Sequence, residues 1–262
     1  MQRTLLFSIS FRREKMSVDY DQLAEQYRTF RKPDPRIAAR IQFHIQGAQR
    51  VLNVGAGMGS YEPQDFQVVA IEPSLEMITQ RKNSKATLVQ GMAENLPFVD
   101  NDFDVSMGVL TIHHWSDIAL GLQEMLRVSK DKIVLFTWIG YGNNFWLIDY
   151  IPEIVGIDEA LCPTLEELDE MLGDITAETI EIPYDCTDGF MCAYWRRPEM
   201  YLNPKVRKAI STFSRIPDIQ GRLNRLKDDL DSGVWRKRYN HLLKKDSLDL
   251  GYRLVVHERS RT

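Results

Sequence analysis

The sequence predicts an α/β fold, a doubly wound and largely parallel sheet with helices on both faces. Three observations predict it. Between residues 50 and 138, short apolar runs alternate with segments of helical periodicity, the pattern of repeated strand–helix–strand units. The first of these runs leads straight into closely spaced glycines, Gly55, Gly57 and Gly59; glycine allows positive φ and, lacking a Cβ, lets the main chain touch a ligand lying across strand ends. Finally, 262 residues with 44% hydrophobic and 27% charged side chains suit one α/β domain with insertions and exclude disorder, collagen-like repeats and a disulfide scaffold.

The elements follow in order. Residues 1–15 put a short apolar run before basic residues, the reverse of a secretory signal, and read as a disordered or upstream extension to a single domain over 16–258. Leu23, Tyr27 and Phe30 recur at helical spacing, Pro33 and Pro35 punctuate, and Ile37, Ile41 and Ile45 mark the face of a second helix. Strands are expected at 50–54, 68–72, 86–90, 103–109 and 132–138, a core over 50–138. Only 13 residues, 55–67, separate the first two strands and they include Pro63, so any helix there must be short or irregular. Ser74 opens the next helix, and Asp117 another, whose apolar face carries Ile118, Leu122, Met125 and Leu126. Beyond Trp138 the alternation lapses in an aromatic and glycine-rich stretch, the start of a lid or linker over 139–174. Within it Thr164 and Glu167 form a capping box for a helix ending near Gly173. Strands at 177–184 and 248–258 close the chain. The residues between, 188–245, read as a helical cap insertion with apolar stripes at Ile219, Leu223, Leu226 and Leu230, then Trp235, Tyr239 and Leu242.

Charge and composition narrow the function. Thirty-three Lys and Arg against 37 Asp and Glu leave a net charge of -4, with no electrostatic footprint for nucleic acid. No stretch reaches the roughly 20 apolar residues of a membrane span. Cys162, Cys186 and Cys192 are too few and too irregular for structural zinc or a disulfide framework, which points to the cytoplasm. No side chains gather at metal-ligand spacing, so no metal is expected.

The second strand ends in Glu72. That places a carboxylate at the carboxyl edge of the sheet beside the glycine turn, where it can accept from two ribose hydroxyls. The pair indicates an adenosine-type cofactor. A tight turn with Glu72 merely capping the helix at Ser74 is the structural alternative. A nicotinamide dehydrogenase is the functional one, although its fingerprint needs glycine or alanine where Ser60 stands and a full helix N-terminus for pyrophosphate, which Ser60 and Pro63 oppose.

These motifs resemble the class I S-adenosylmethionine-dependent methyltransferases, in particular their small-molecule, type 11-like group. The glycine turn is similar to that family's first motif, and Glu72-Pro73-Ser74 to its ribose-binding acid and successors. The run 90–98 is similar to the third-strand loop flanking adenine, and 101–105 to the approach to the fourth strand. His113-His114-Trp115, Asp117 and Leu126-Arg127-Val128 complete the likeness. It implies a Rossmann-like seven-stranded methyltransferase sheet whose last strand is antiparallel, with N-terminal helices and a helical cap. It implies S-adenosylmethionine as cofactor, S-adenosylhomocysteine as product, and a cofactor site of Asn53, Gly55, Ala56, Gly57, Glu72, Pro73, Met77, Met92, Ala93, Glu94, Gly108, Val109 and Leu110. Tyr20, Tyr27 and Arg31 would fold over the methionine moiety. Two positions depart from the family pattern, Asn53 and Met92, each standing where an aspartate is common.

Trp138, Phe190, Tyr194 and Arg197 supply aromatic surface and a guanidinium for the acceptor side, suiting a planar or anionic substrate. Methyl transfer from a sulfonium is an in-line displacement that alignment and exclusion of water can drive. Where a base is needed, His113 or His114 is the candidate. The expected activity is methyl transfer to a small-molecule acceptor, a secondary metabolite such as antibiotic biosynthesis provides, by a monomer or homodimer. A dehydrogenase and a noncatalytic S-adenosylmethionine-binding module are the alternatives.

Overall fold

In the computed structural model, residues 29–81, 84–142 and 144–259 are described. The expected first helix falls almost wholly outside them, with Tyr20 and Tyr27; only positions 29–30 are seen, and they are helical. The second expected helix is α1, Pro35–His44: the Asp34 side chain accepts from the Arg36 N–H, proline occupies the first turn, and Ile37 and Ile41 are buried. Proline at that position loses no helical hydrogen bond and has its φ already set.

Seven strands of the described residues form one sheet: β1 (Arg50–Val54), β2 (Gln67–Glu72), β3 (Thr87–Gln90), β4 (Phe103–Val109), β5 (Ser129–Trp138), β6 (Ile175–Thr179) and β9 (Tyr252–Glu258). Their order is β3-β2-β1-β4-β5-β9-β6. The pairs among β1 to β5 are parallel, and β9 runs antiparallel to both β5 and β6. The expected mixed, Rossmann-like sheet is thus present, with the last strand inserted beside its predecessor.

The central strands are buried on both faces, which is why they read as continuous apolar runs. Their alternate residues feed two cores. Leu52, Val54, Ile133 and Leu135 pack on α3 (Ile118–Val128) and α5 (Leu165–Leu172), while Val51, Val134 and Phe136 join a second core with α1 and the helices of residues 188–245. Local signals set the helix starts as expected. Asp117 caps α3 by accepting from Leu120, Ser74 caps α2 (Leu75–Thr79) by accepting from Met77, and Thr164 with Glu167 makes the capping box of α5, which ends at Gly173. Between β1 and β2 the chain forms turns rather than a helix.

The two closing strands differ from expectation. The stretch read as one strand at 177–184 starts at Ile175, leaves the sheet after Thr179, and resumes as β7 (Ile182–Pro183) in a separate two-stranded ribbon with β8 (Ser247–Leu248). The stretch read as 248–258 is likewise split. Asp249 accepts from the Gly251 N–H at 3.0 Å, and Gly251, at φ +87°, lies against the Gly140 carbonyl where a Cβ would collide. A turn needing positive φ therefore interrupts a run whose apolar residues alone suggest continuity.

Residues 188–245 contain α6 (Pro204–Lys208), α7 (Gln220–Asp231), α8 (Val234–Arg238) and short 3-10 segments. Leu223, Leu226, Trp235, Tyr239 and Leu242 are buried. The stretch following Trp138 is irregular, as expected, but its aromatic residues Tyr141, Phe145 and Trp146 are buried in the core shared with those helices. No helix of the described residues is long and apolar enough to cross a membrane.

Candidate active site

A cavity of about 1030 Å³ lies beyond the carboxyl ends of β1, β2 and β4, where the strand order changes direction across β1. That crevice is where doubly wound sheets hold ligands. Its volume stands at the top of the roughly 300–1,000 Å³ range of small-molecule sites.

The glycine turn forms one wall. Gly55 and Ala56 donate to the Ile71 carbonyl at 2.9 and 3.0 Å, tying the turn to the end of β2. Gly55 has φ +67°, and a Cβ there would collide with the Thr111 hydroxyl. Gly57 is different: at φ +51°, its missing Cβ would point into the cavity, with only the Met77 sulfur within 4 Å, at 3.9 Å. Glu72 lies opposite. Its Oε2 accepts from the Gly57 N–H at 2.8 Å and its Oε1 from the Ser74 N–H at 3.0 Å. Burial pushes this carboxyl above its ordinary range, against the opposing pull of those two N–H groups and Arg81. Two donors leave further lone pairs on the carboxylate. At the rim, the large apolar side chains of Leu75 and Met92 are 58% and 51% exposed.

Asn53 is buried, and its amide donates to Glu62 Oε1 at 3.1 Å. Glu62 is ion-paired with the buried Arg81. An aspartate at 53 would set two carboxylates side by side, so the amide is what this arrangement requires. Glu94 reaches the cavity wall, yet its carboxylate accepts from the Ser116 hydroxyl and from the N–H groups of Ser116 and Asp117. Burial works to raise its pKa, and these bonds hold it below the ordinary range. Its action is to position the 116–117 backbone.

His113 and His114 occupy a 3-10 turn after β4, with ring centroids 4.0 Å apart, and both line the cavity. Burial, then the positive fields of His114, Arg31 and Arg215, push His113 well below the usual imidazole range. Leu110, just before this turn, is held at φ +49°, with its N–H on the Phe136 carbonyl at 2.7 Å. This left-handed conformation, at a cost of order 1–3 kcal/mol, stands where β4 gives way to the histidine turn.

Of the residues singled out from sequence, the cavity brings together Arg31, Asn53, Gly55, Ala56, Gly57, Glu72, Pro73, Met77, Met92, Ala93, Glu94, Val109, Leu110, His113, His114, Trp138 and Phe190. Gly108, Tyr194 and Arg197 are not among the lining residues. A Cβ at Gly108 would meet Leu135 and Thr111 at 3.2 and 3.3 Å, a packing constraint. Arg197 donates to the carbonyls of Cys186 and Ala193 and stacks over Tyr194, so its guanidinium holds the chain's own backbone. The sequence reading missed Tyr61, Thr111, Tyr141, Asp158, Thr212 and Tyr252, which line the same cavity. Tyr61 joins Arg31 on Asp188: its hydroxyl donates to Asp188 Oδ2 at 3.0 Å, and Arg31 Nε to Oδ1 at 2.6 Å.

Comparison with known proteins agrees with this geometry. Residues 52–137 match the methyltransferase domain family. The structure superimposes with a TM-score of 0.80 on that of a candidate methyltransferase from an antibiotic biosynthesis pathway of Anabaena variabilis, 32% identical, covering 87% of this chain and 98% of that one. The uncharacterised methyltransferase YcgJ of Bacillus subtilis is 31% identical over 122 residues, 42% of this chain and 44% of its own. The demethylmenaquinone methyltransferase of Paenarthrobacter aurescens is 35% identical over 92 residues, 33% of this chain and 36% of its own. The chain thus spans less than half the length of these two curated relatives. It belongs to the class I S-adenosylmethionine-dependent methyltransferases.

The cofactor of that family is S-adenosylmethionine, and the residues present fit it. The glycine turn leaves open the space a Cβ at Gly57 would fill, Glu72 offers a buried carboxylate, and Leu75 and Met92 offer exposed apolar surface.

Proposed function

We propose that this chain transfers a methyl group from S-adenosylmethionine to a small-molecule acceptor held in the same cavity. The observation that carries the reading is the cavity's two-part lining. One part is the glycine turn with Glu72; the other is the aromatic set Trp138, Tyr141, Phe190 and Tyr252. Glu72 would hold the ribose, Leu75 and Met92 the adenine faces, and Arg31 with Asn53 the methionine end. Bound there, the cofactor supplies an electrophilic methyl group on a sulfonium. The chain's own work is alignment and exclusion of water. His113 lines the cavity with its ring able to take a proton, and burial makes it a weak base, suited to an acceptor molecule that sheds its proton readily. An acceptor from secondary metabolism is in keeping with the pathway of the Anabaena variabilis relative. A quinone-like ring is in keeping with the demethylmenaquinone enzyme.

Isothermal titration tests the reading. S-adenosylmethionine and S-adenosylhomocysteine should bind competitively at one site, and NAD should not displace them. Transfer of a labelled methyl group into a metabolite extract should follow, and its complete absence with intact cofactor binding would favour a noncatalytic module.

A further inference from the structure

The second part of the cavity wall holds a buried acid to which no role has been given. Asp158 sits on α4 (Glu153–Glu159), is 8% exposed, and lines the cavity. Its Oδ1 accepts from the Thr212 hydroxyl at 2.6 Å and its Oδ2 from the Tyr141 hydroxyl. Among the described residues no lysine or arginine lies within ion-pair distance of it; Arg215 is exposed and acts on it only through its field. A buried carboxylate without a cation is costly. Joining two hydroxyls needs no charge, since an amide or a third hydroxyl would bridge them at far lower desolvation cost. The two hydroxyl donors also occupy only half of the roughly four lone-pair positions a carboxylate presents.

The surroundings define what such a group can meet. Trp138, Tyr141, Phe190 and Tyr252 line the same region, and their ring faces favour planar and cationic groups. Of the nearby cations, Arg31 pairs with Asp188 and serves the methionine end in the cofactor reading, Arg197 donates to the carbonyls of Cys186 and Ala193, and Arg215 reaches Asp158 only through its field. An anion placed there would face Asp158 directly.

We propose that Asp158 binds the methyl acceptor, and that the acceptor is a planar, neutral or cationic molecule presenting an amine or hydroxyl hydrogen to this carboxylate, and not a carboxylate or phosphate. The inference deepens the reading of the cavity as a cofactor-and-acceptor site and rests on it. It replaces the anionic substrate that the arginines of the cap suggest in the sequence.

The test is a set of probes with one ring system and three head groups: 2-naphthylmethylamine, 2-naphthol and 2-naphthoate, titrated into protein saturated with S-adenosylhomocysteine. The amine or the naphthol should bind at least tenfold more tightly than the naphthoate, and the tighter of the two identifies the head group. In Asp158→Asn, which loses the charge and keeps one carbonyl acceptor while its amide N–H donates to the other hydroxyl's oxygen, that preference should shrink at least fivefold while S-adenosylhomocysteine affinity and melting temperature hold. A structural role would move the melting temperature and leave the preference intact. Should the variant fail to fold, the wild-type head-group series decides alone. Equal binding of the three, preference for naphthoate, or no binding of any probe to the cofactor-loaded protein overturns the inference. Failure to bind S-adenosylhomocysteine at all overturns the cavity reading instead.

Discussion

Gly57 and Glu72, joined by one hydrogen bond, both line the cavity, and each can be changed separately. Hydrogen bonds to a charged acceptor contribute about 1.5–3 kcal/mol each. Glu72→Ala should therefore weaken S-adenosylmethionine binding at least tenfold by titration calorimetry, with the circular dichroism spectrum retained; unchanged affinity would move the ribose elsewhere. Gly57→Val adds a side chain both at positive φ and into the cavity, and should abolish binding with helical content preserved. His113 makes a pH prediction. Its folded pKa lies well below the ordinary value, so as pH falls below about 6.5 the unfolded chain takes a proton that the folded chain refuses. Stability contributed by this site is present above that pH and is lost below it, by up to about 1.4 kcal/mol per pH unit. His113→Gln should flatten the loss between pH 7 and 5.5 in urea melts, and a slope identical to wild type would refute the assignment. These residues were legible because each lies at, or within four residues of, the carboxyl end of a strand. Asp158, Thr212 and Tyr252 were not, since three distant segments bring them to one wall and no local spacing announces it. Glu62 explains Asn53 from nine residues away, across a turn that has no regular period.

Segments meet in a buried polar network whose centre is Asp188. Arg31, before α1, pairs with it; Tyr61, after the glycine turn, donates to it; and the Phe30 carbonyl accepts from Gly189 at 2.8 Å. Asp34, the cap of α1, extends the network by accepting from the Thr187 N–H at 3.1 Å. The arrangement ties the glycine turn, the entry to α1 and the start of residues 188–245 together. Arg31 and Asp188 are 10% and 0% exposed, so removing the acid takes charged hydrogen bonds away from a nearly buried guanidinium and from the Tyr61 hydroxyl. Asp188→Ala should cost about 1.5–3 kcal/mol in urea denaturation and should weaken cofactor binding, because Arg31 and Tyr61 both line the cavity. A loss under 1 kcal/mol would mean that solvent takes over the contact. Elements of this kind show how far local patterns reach. Caps at Ser74, Asp117 and Thr164 were legible because a cap is decided within three or four residues. The departure of β6 from the sheet after Thr179 was not, because Ile180 and Ile182 continue an apolar pattern that serves the sheet's core and the β7–β8 ribbon alike.

The whole molecule is joined by its larger core. Residues of β1, β4, β5 and β9 share that cluster with Tyr201, Phe213, Leu226 and Trp235 of the 188–245 region and with the aromatic stretch that follows Trp138. A cap that rested on the sheet through a polar interface could open and melt by itself. Here Trp146 stands in the middle: its indole N–H donates to the Trp195 carbonyl at 2.6 Å, and its ring meets Tyr150, Tyr201 and Trp235 at 5.1–6.0 Å. Removing the cap would expose this cluster to water, so sheet and cap should unfold together. Calorimetry of the protein without added ligand should give one transition, with calorimetric and van't Hoff enthalpies equal. S-adenosylhomocysteine at about 100 times its dissociation constant should add about 2.7 kcal/mol of stability and move the entire transition by roughly 5–10 °C. Two transitions, with the ligand shifting one of them, would mean instead that the cap is an independent unit and that the cavity wall holding Asp158 and Thr212 assembles only when it docks.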